Sequence, residues 1–194
     1  DREPGAAGPC GPVPCGSRPR KIGHRFCNVA LKNVRTMKKA MAYILPTLLC
    51  FVLGGLAGWL QSDSIEYWYP YLIKPALTPP DVVFPIAWSI IYLCMGISAG
   101  LVLNSGAHAR KGVMTFWFFQ LGFNFLWSIL FFVCRSPLLG MIDIVVLDAL
   151  ALLYAVRSAK VRTGAAWLFA PYLCWLAFAT YLNAYILAMN GTGM

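Results

Sequence analysis

Five apolar segments, near residues 42–60, 83–103, 113–133, 138–156 and 165–188, contain no Lys or Arg between them. Crossing the hydrocarbon core of a bilayer takes about 20 residues of helix, with a range of about 17–25. Inside lipid a segment must satisfy its own backbone polar groups, which only helices and closed barrels do. The chain is 59% hydrophobic and 12% charged, whereas a soluble domain carries about a quarter charged residues. The expectation is an all-α integral membrane protein, a bundle of five transmembrane helices.

The net charge of +9 suggests nucleic acid at first sight, but its distribution argues otherwise. Residues 1–39 hold nine of the sixteen Lys and Arg against Asp1 and Glu3, giving +7, and the other 155 residues carry seven bases against five acids, giving +2. A nucleic-acid binder needs its basic face on a folded surface, and here the excess sits in a Pro/Gly/Arg-rich leader. Residues 1–36 lack the periodic apolar pattern that folds a segment and read as disordered; residues 37–194 form the membrane domain. Cys10, Cys15, His24 and Cys27 match no common zinc spacing, so no metal site is expected.

The connections set an orientation. Arg110 and Lys111 lie between the second and third segments, and Arg157, Lys160 and Arg162 between the fourth and fifth, while no base follows residue 188. Placing the N-terminus and both of these turns in the cytoplasm satisfies the positive-inside bias and leaves the C-terminus outside. The long connection 61–82, QSDSIEYWYPYLIKPALTPPDV, is too polar and Pro-rich to span. Its Trp68, Tyr69 and Tyr71 suit an interfacial anchor. A structured loop of this length also suits a lid over the outer mouth of the bundle.

Three helical stripes converge inward. The third segment presents Gln120, Asn124, Trp127 and Phe131, the fifth Pro171, Trp175, Ala179 and Asn183, and the second Trp88, Tyr92, Met95 and Ala99, each in steps of three or four. Polar side chains in a span face protein or a cavity. The Asn and Gln read either as hydrogen-bonding glue between helices or, with the aromatic stripes, as the lining of a pocket for a flat apolar ligand. Asp143 and Asp148 each cost about 2.5 to 3.5 kcal/mol at a span centre. Five residues turn a helix by about 140° beyond a full turn, so they occupy different faces. Asp143 is expected to meet the interior, and Asp148 another helix or a partner subunit. Gly54/Gly58 and Gly96/Gly100 are GxxxG pairs that either pack the first two helices together or form a dimer seam. The chain has two histidines, His24 and His108, neither in a span, and no nucleophile–base pair has a plausible context. Any chemistry falls to the tryptophans.

The motifs GGLAG (54–58), WYPYLIKPALTPP (68–80), FPIAWSIIYLCMG (84–96), QLGFNFLW with Phe131-Phe132 (120–132), Asp143 and PYLCWLAFATYLN (171–183) occur together and in order. From about Leu53 to Leu187 the chain thereby resembles the TspO/MBR family, tryptophan-rich sensory proteins that include translocator proteins (peripheral benzodiazepine receptors). The resemblance implies five helices around a pocket beneath the first loop, commonly in a homodimer. It implies no required cofactor, and as ligands porphyrins such as protoporphyrin IX together with synthetic isoquinolines and benzodiazepines. Trp88, Tyr92, Asn124, Trp127, Trp175 and Ala179 match pocket positions, with Gln120, Asp143 and Asn183 added from the inward faces. Trp68, Lys74, Pro75, Pro79 and Pro80 are assigned to the loop lid. Trp88 and Trp175 match the tryptophans tied to light-dependent porphyrin breakdown in bacterial members.

Two positions depart from the family. Leu77 stands where a Trp is common between Lys-Pro and Pro-Pro, and Ala184 replaces the Tyr of the sterol-linked motif of animal members, with no base after Tyr185. A bacterial member is implied rather than a cholesterol carrier. The expected function is a porphyrin-binding membrane receptor, sensor or carrier. An enzyme degrading protoporphyrin IX photo-oxidatively and a purely structural membrane protein are the alternatives.

Overall fold

The computed structural model describes residues 21–192. Among them are five helices long and apolar enough to cross a membrane and no strands. They are α1 (Lys21–Tyr67), α2 (Val83–Leu103), α3 (Arg110–Ser128), α4 (Pro137–Val161) and α5 (Thr163–Asn190). Four of the expected spans lie inside these bounds to within a few residues, the third where α3 runs on into a widened π turn, Ile129–Val133. The first is longer than expected at both ends. Beyond Leu60, GlnSerAspSer continues the helix because no Pro or Gly stops it before Tyr67. At the other end, residues 21–36 are helical where the sequence suggested disorder. From His24 to Thr36 they contain no Pro or Gly, and Arg, Lys, Ala and Leu are good helix formers. Cys10 and Cys15 fall outside the described residues, as do the side chains of His24 and Cys27.

The turns are cut by local chemistry. Arg135 takes a left-handed φ of 51° after the π turn, and the Ser136 hydroxyl then caps α4 by accepting from the Leu139 N–H at 3.3 Å, with Pro137 at the first helical position. Pro fits there because its missing N–H would be unpaired anyway. Arg162, in extended conformation, separates α4 from α5.

The bundle is solid at one end and hollow at the other. At the solid end Met95, Ala99, Trp117, Tyr154, Phe169 and Tyr172 are fully buried. Trp117 donates its indole N–H to the Met95 carbonyl at 3.2 Å. The Ser98 hydroxyl lies 2.8 Å from the Tyr154 hydroxyl and donates to the Ala165 carbonyl at 2.7 Å, tying α2, α4 and α5. The glycine pairs seat α1 against α2: the Thr47 and Tyr43 side chains occupy the space over Gly96 and Gly100, and the Tyr92 ring that over Gly54. Gly58 has open space above it. Outward, Ile44, Leu45, Leu48, Val52 and Leu56 of α1 remain exposed, as a lipid-facing surface requires.

Candidate functional site

The hollow end is a cavity of about 330 Å³. Trp88 and Tyr92 of α2 form one wall, Asn124, Trp127 and Ser128 of α3 a second, and Trp175, Ala179 and Asn183 of α5 a third, with Ile144 and Leu147 of α4 between the last two. The indole rings of Trp88 and Trp175 meet edge to face with centroids 6.3 Å apart. Trp88 lies against Tyr92 at 5.3 Å, and Trp127 stacks on Phe131 at 5.1 Å with planes 16° apart. Such offset and edge-to-face pairs hold aromatic walls in fixed orientations.

The polar side chains of the wall are anchored from behind. Asn124 donates to the buried Tyr172 hydroxyl at 3.1 Å. Asn183 donates to the Pro137 carbonyl at 2.8 Å and accepts from the Trp127 indole at 3.4 Å. Gly140 makes room for this junction, since a methyl there would meet Asn183 Oδ1 and the Phe131 ring. Glue and pocket lining, alternatives in the sequence, are here the same residues.

Gln120, Asp143, Met95 and Ala99 are buried as the inward stripes require but lie off the cavity wall, and Pro171 is not inward at all. Gln120 is fully buried but sits about one turn deeper than Asn124, in the solid core, where its amide donates to the Trp117 carbonyl at 3.0 Å. Asp143 is 3% exposed and no part of the cavity wall, with neither carboxyl oxygen hydrogen-bonded. Its neighbour Ile144 takes the wall position, and adjacent residues diverge by about 100°. Pro171 is exposed, because steps of four residues drift by about 40° each and carry it some 120° away from Asn183. Within the second stripe, Met95 and Ala99 belong to the solid core. Asp148, half-buried, accepts from the Thr180 hydroxyl of α5 at 2.8 Å, matching the helix-partner expectation.

The 61–82 connection reaches the cavity through other residues than those first assigned. Tyr69 and Asp81 line it, whereas Trp68, Lys74, Pro75, Pro79 and Pro80 do not. Trp68 instead packs edge-on against Phe131 at 5.7 Å. Tyr69 begins a 3-10 turn, Tyr69–Tyr71, and lies against Phe132 at 5.6 Å. The Lys74 ammonium sits 4.3 Å over the Tyr69 ring. Pro75 and Pro80 accept the N–H groups of Thr78 and Val83 at 2.9 Å, which shapes the turns rather than the wall. Burial and, after it, the nearby Asp81 carboxylate push the Tyr69 phenol up to about 12. Asn190, at the end of α5, fastens the connection: it accepts from the Ile73 N–H at 2.8 Å and donates to the Ile73 carbonyl at 3.0 Å.

Sequence reasoning also missed Gln61, which lines the cavity with its oxygen buried and unpaired, because the first span was ended at residue 60. Phe84 was within reach of the argument: it precedes Trp88 by four residues, lines the cavity and packs edge-on against Trp175 at 5.8 Å.

The sequence pattern of the TspO/MBR family matches residues 46–189. The tryptophan-rich protein TspO of Chlorobaculum tepidum is 38% identical over 145 residues, covering 73% of this chain and 91% of that protein. A protein of the same name from Archaeoglobus fulgidus is 36% identical over 152 residues, 78% and 97% of the two chains. The human translocator protein is 34% identical over 148 residues, 74% and 85%.

Proposed function

The chain belongs to the TspO/MBR family, and from that premise we propose that this multi-pass membrane protein is a receptor or carrier whose cavity binds a porphyrin, protoporphyrin IX foremost. Synthetic isoquinoline or benzodiazepine ligands take the same space. The carrying observation is the wall itself: Trp88, Tyr92, Trp127 and Trp175, from three helices, line one cavity beside the small Ala179. Flat apolar rings stack on such walls, and the few anchored amides orient them. Titrating protoporphyrin IX in the dark against the tryptophan fluorescence of the detergent-solubilised chain tests the reading. Saturable quenching is expected, and quenching that only rises linearly with porphyrin rules it out.

The Trp88–Trp175 contact favours a second reading, photo-oxidative degradation of protoporphyrin IX. Two indoles in edge-to-face contact on the cavity wall stand where excited porphyrin would meet oxidisable rings. Breakdown in light that persists unchanged in a Trp88→Phe/Trp175→Phe variant removes this reading and leaves the first intact. In the membrane, the orientation that fits the charge pattern has the α2–α3 and α4–α5 turns cytoplasmic and the cavity opening to the other side.

A further inference from the structure

The charges around the cavity are unevenly placed. Among its described lining residues there is no Lys, Arg or His, and the one carboxylate, Asp81, is exposed at the rim beside Tyr69. The remaining polar groups include the Gln61 oxygen, buried and without a hydrogen-bond partner, which adds an acceptor rather than a cation. An ionised carboxylate pushed into this space loses its hydration without a cationic partner, and uncompensated buried charge is strongly unfavourable. The same 61–82 connection carries a cation. Tyr69 is part of the wall, and the Lys74 ammonium lies 4.3 Å over its ring on the loop. The cation is therefore one aromatic ring away from the cavity. Arg135, also at this end of the bundle, is exposed in the α3–α4 turn and is no part of the wall.

Resting on the porphyrin reading above, we propose that the cavity takes its ligand with the carboxylates outward: Lys74 pairs with a carboxylate of a dianionic tetrapyrrole at the mouth, because the described lining offers no cation inside, while Asp81 at the same rim opposes anionic groups. The apolar macrocycle enters between the tryptophans. Lys74 is then a specificity-determining residue for anionic ligands, and Asp81 a like charge at the same rim that weakens them. Esterifying the ligand carboxylates removes the groups that both residues read, so the neutral diester is indifferent to either charge.

The experiment crosses protein with ligand. Protoporphyrin IX and its dimethyl ester are titrated in the dark, in non-ionic detergent, against the full chain and its Lys74→Gln, Lys74→Arg, Asp81→Asn and Arg135→Gln variants. Exposed ion pairs contribute modestly, so Lys74→Gln is expected to weaken the free acid by about two- to fivefold. The ester stays within error, and Lys74→Arg keeps the free-acid affinity. Asp81→Asn tightens the free acid and leaves the ester unchanged. Raising ionic strength narrows the difference between free acid and ester. Equal losses for both ligands in Lys74→Gln overturn the proposal, since that is the mark of a loop merely disordered. So does an equal loss in Arg135→Gln, which would mean a diffuse field, and so does free-acid binding with no ester binding in the unaltered chain, which would put the carboxylates inside. Failure of both ligands to bind the unaltered chain removes the porphyrin reading itself.

Discussion

Asn190 brackets both polar groups of a single peptide residue, Ile73, accepting from its N–H at 2.8 Å and donating to its carbonyl at 3.0 Å. The same amide nitrogen also reaches the Ile186 carbonyl of its own helix at 2.9 Å. One side chain thus pins the α1–α2 connection to the end of α5. Each such bond contributes about 0.5–1.5 kcal/mol net. Asn190→Ala is therefore expected to speed hydrogen exchange of the Ile73 amide by about two- to tenfold, with the bundle unaltered. Unchanged exchange there means the loop is held by its aromatic contacts alone.

Ala179 lies one turn beyond Trp175 on the cavity wall. Threonine there adds volume and a hydroxyl that turns to the carbonyl four residues back and bends the helix. Overpacking costs about 1–3 kcal/mol, or roughly fivefold to a hundredfold in affinity. Porphyrin affinity in Ala179→Thr should fall by that factor while monodisperse protein is still recovered. Ala188, which is exposed, serves as the control, and its replacement by Thr should leave affinity unchanged.

Gly96 is buried with the Thr47 backbone and side chain directly over it. Gly96→Ala forces α1 and α2 apart, at about 1–3 kcal/mol, and should lower the midpoint of thermal unfolding in detergent by several degrees. A seam within one chain loses stability without changing its oligomeric state. A variant of normal stability and altered state on light scattering would instead assign Gly96 to a contact between copies.

The Tyr69 phenol, held up to about 12 by burial and by Asp81, keeps its proton throughout the neutral range. The fold prefers the neutral phenol, so its contribution is fully present below the ordinary tyrosine value of about 10. That contribution is lost as pH rises from there through about 12. Tyrosinate absorbance should show a late step absent from Tyr69→Phe. Porphyrin affinity should show no Tyr69-linked change below about pH 10.

The orientation proposed from the charge pattern is checked by a reporter active only in the cytoplasm. Fused within the α4–α5 turn it should be active, and fused after Met194 silent. Activity at Met194 reverses the assignment.

Much of this was legible in the chain because periodicity carries it. Val83–Leu103 reproduces the second apolar segment, and Trp88, Tyr92, Asn124, Trp127, Trp175, Ala179 and Asn183 all reach the cavity wall. Depth along a helix was not legible. Gln120 shares a face with Asn124 yet lies below the cavity floor, and steps of three or four say nothing about where the hollow stops. Pro171 shows the cost of extending a straight stripe over twelve residues of a 3.6-residue helix. The loop failed for a different reason. A 3-10 turn that sends Trp68 to Phe131 and leaves Tyr69 on the wall is set by tertiary packing, and Pro-rich segments advertise turns without saying which neighbour of a turn looks inward.

Tyr92 belongs to two structures at once. Its ring fills the groove over Gly54, where α1 and α2 meet, and it also faces the cavity beside Trp88. A ligand that displaces this ring opens the helix seam, and a change in the seam moves the ring. By thermodynamic reciprocity, whatever free energy one site exerts on the other is returned in equal measure. On the porphyrin reading, occupancy of the cavity and the closeness of α1 to α2 are linked through this ring. A shift of α1 against α2 is then felt at the cavity wall through one tyrosine.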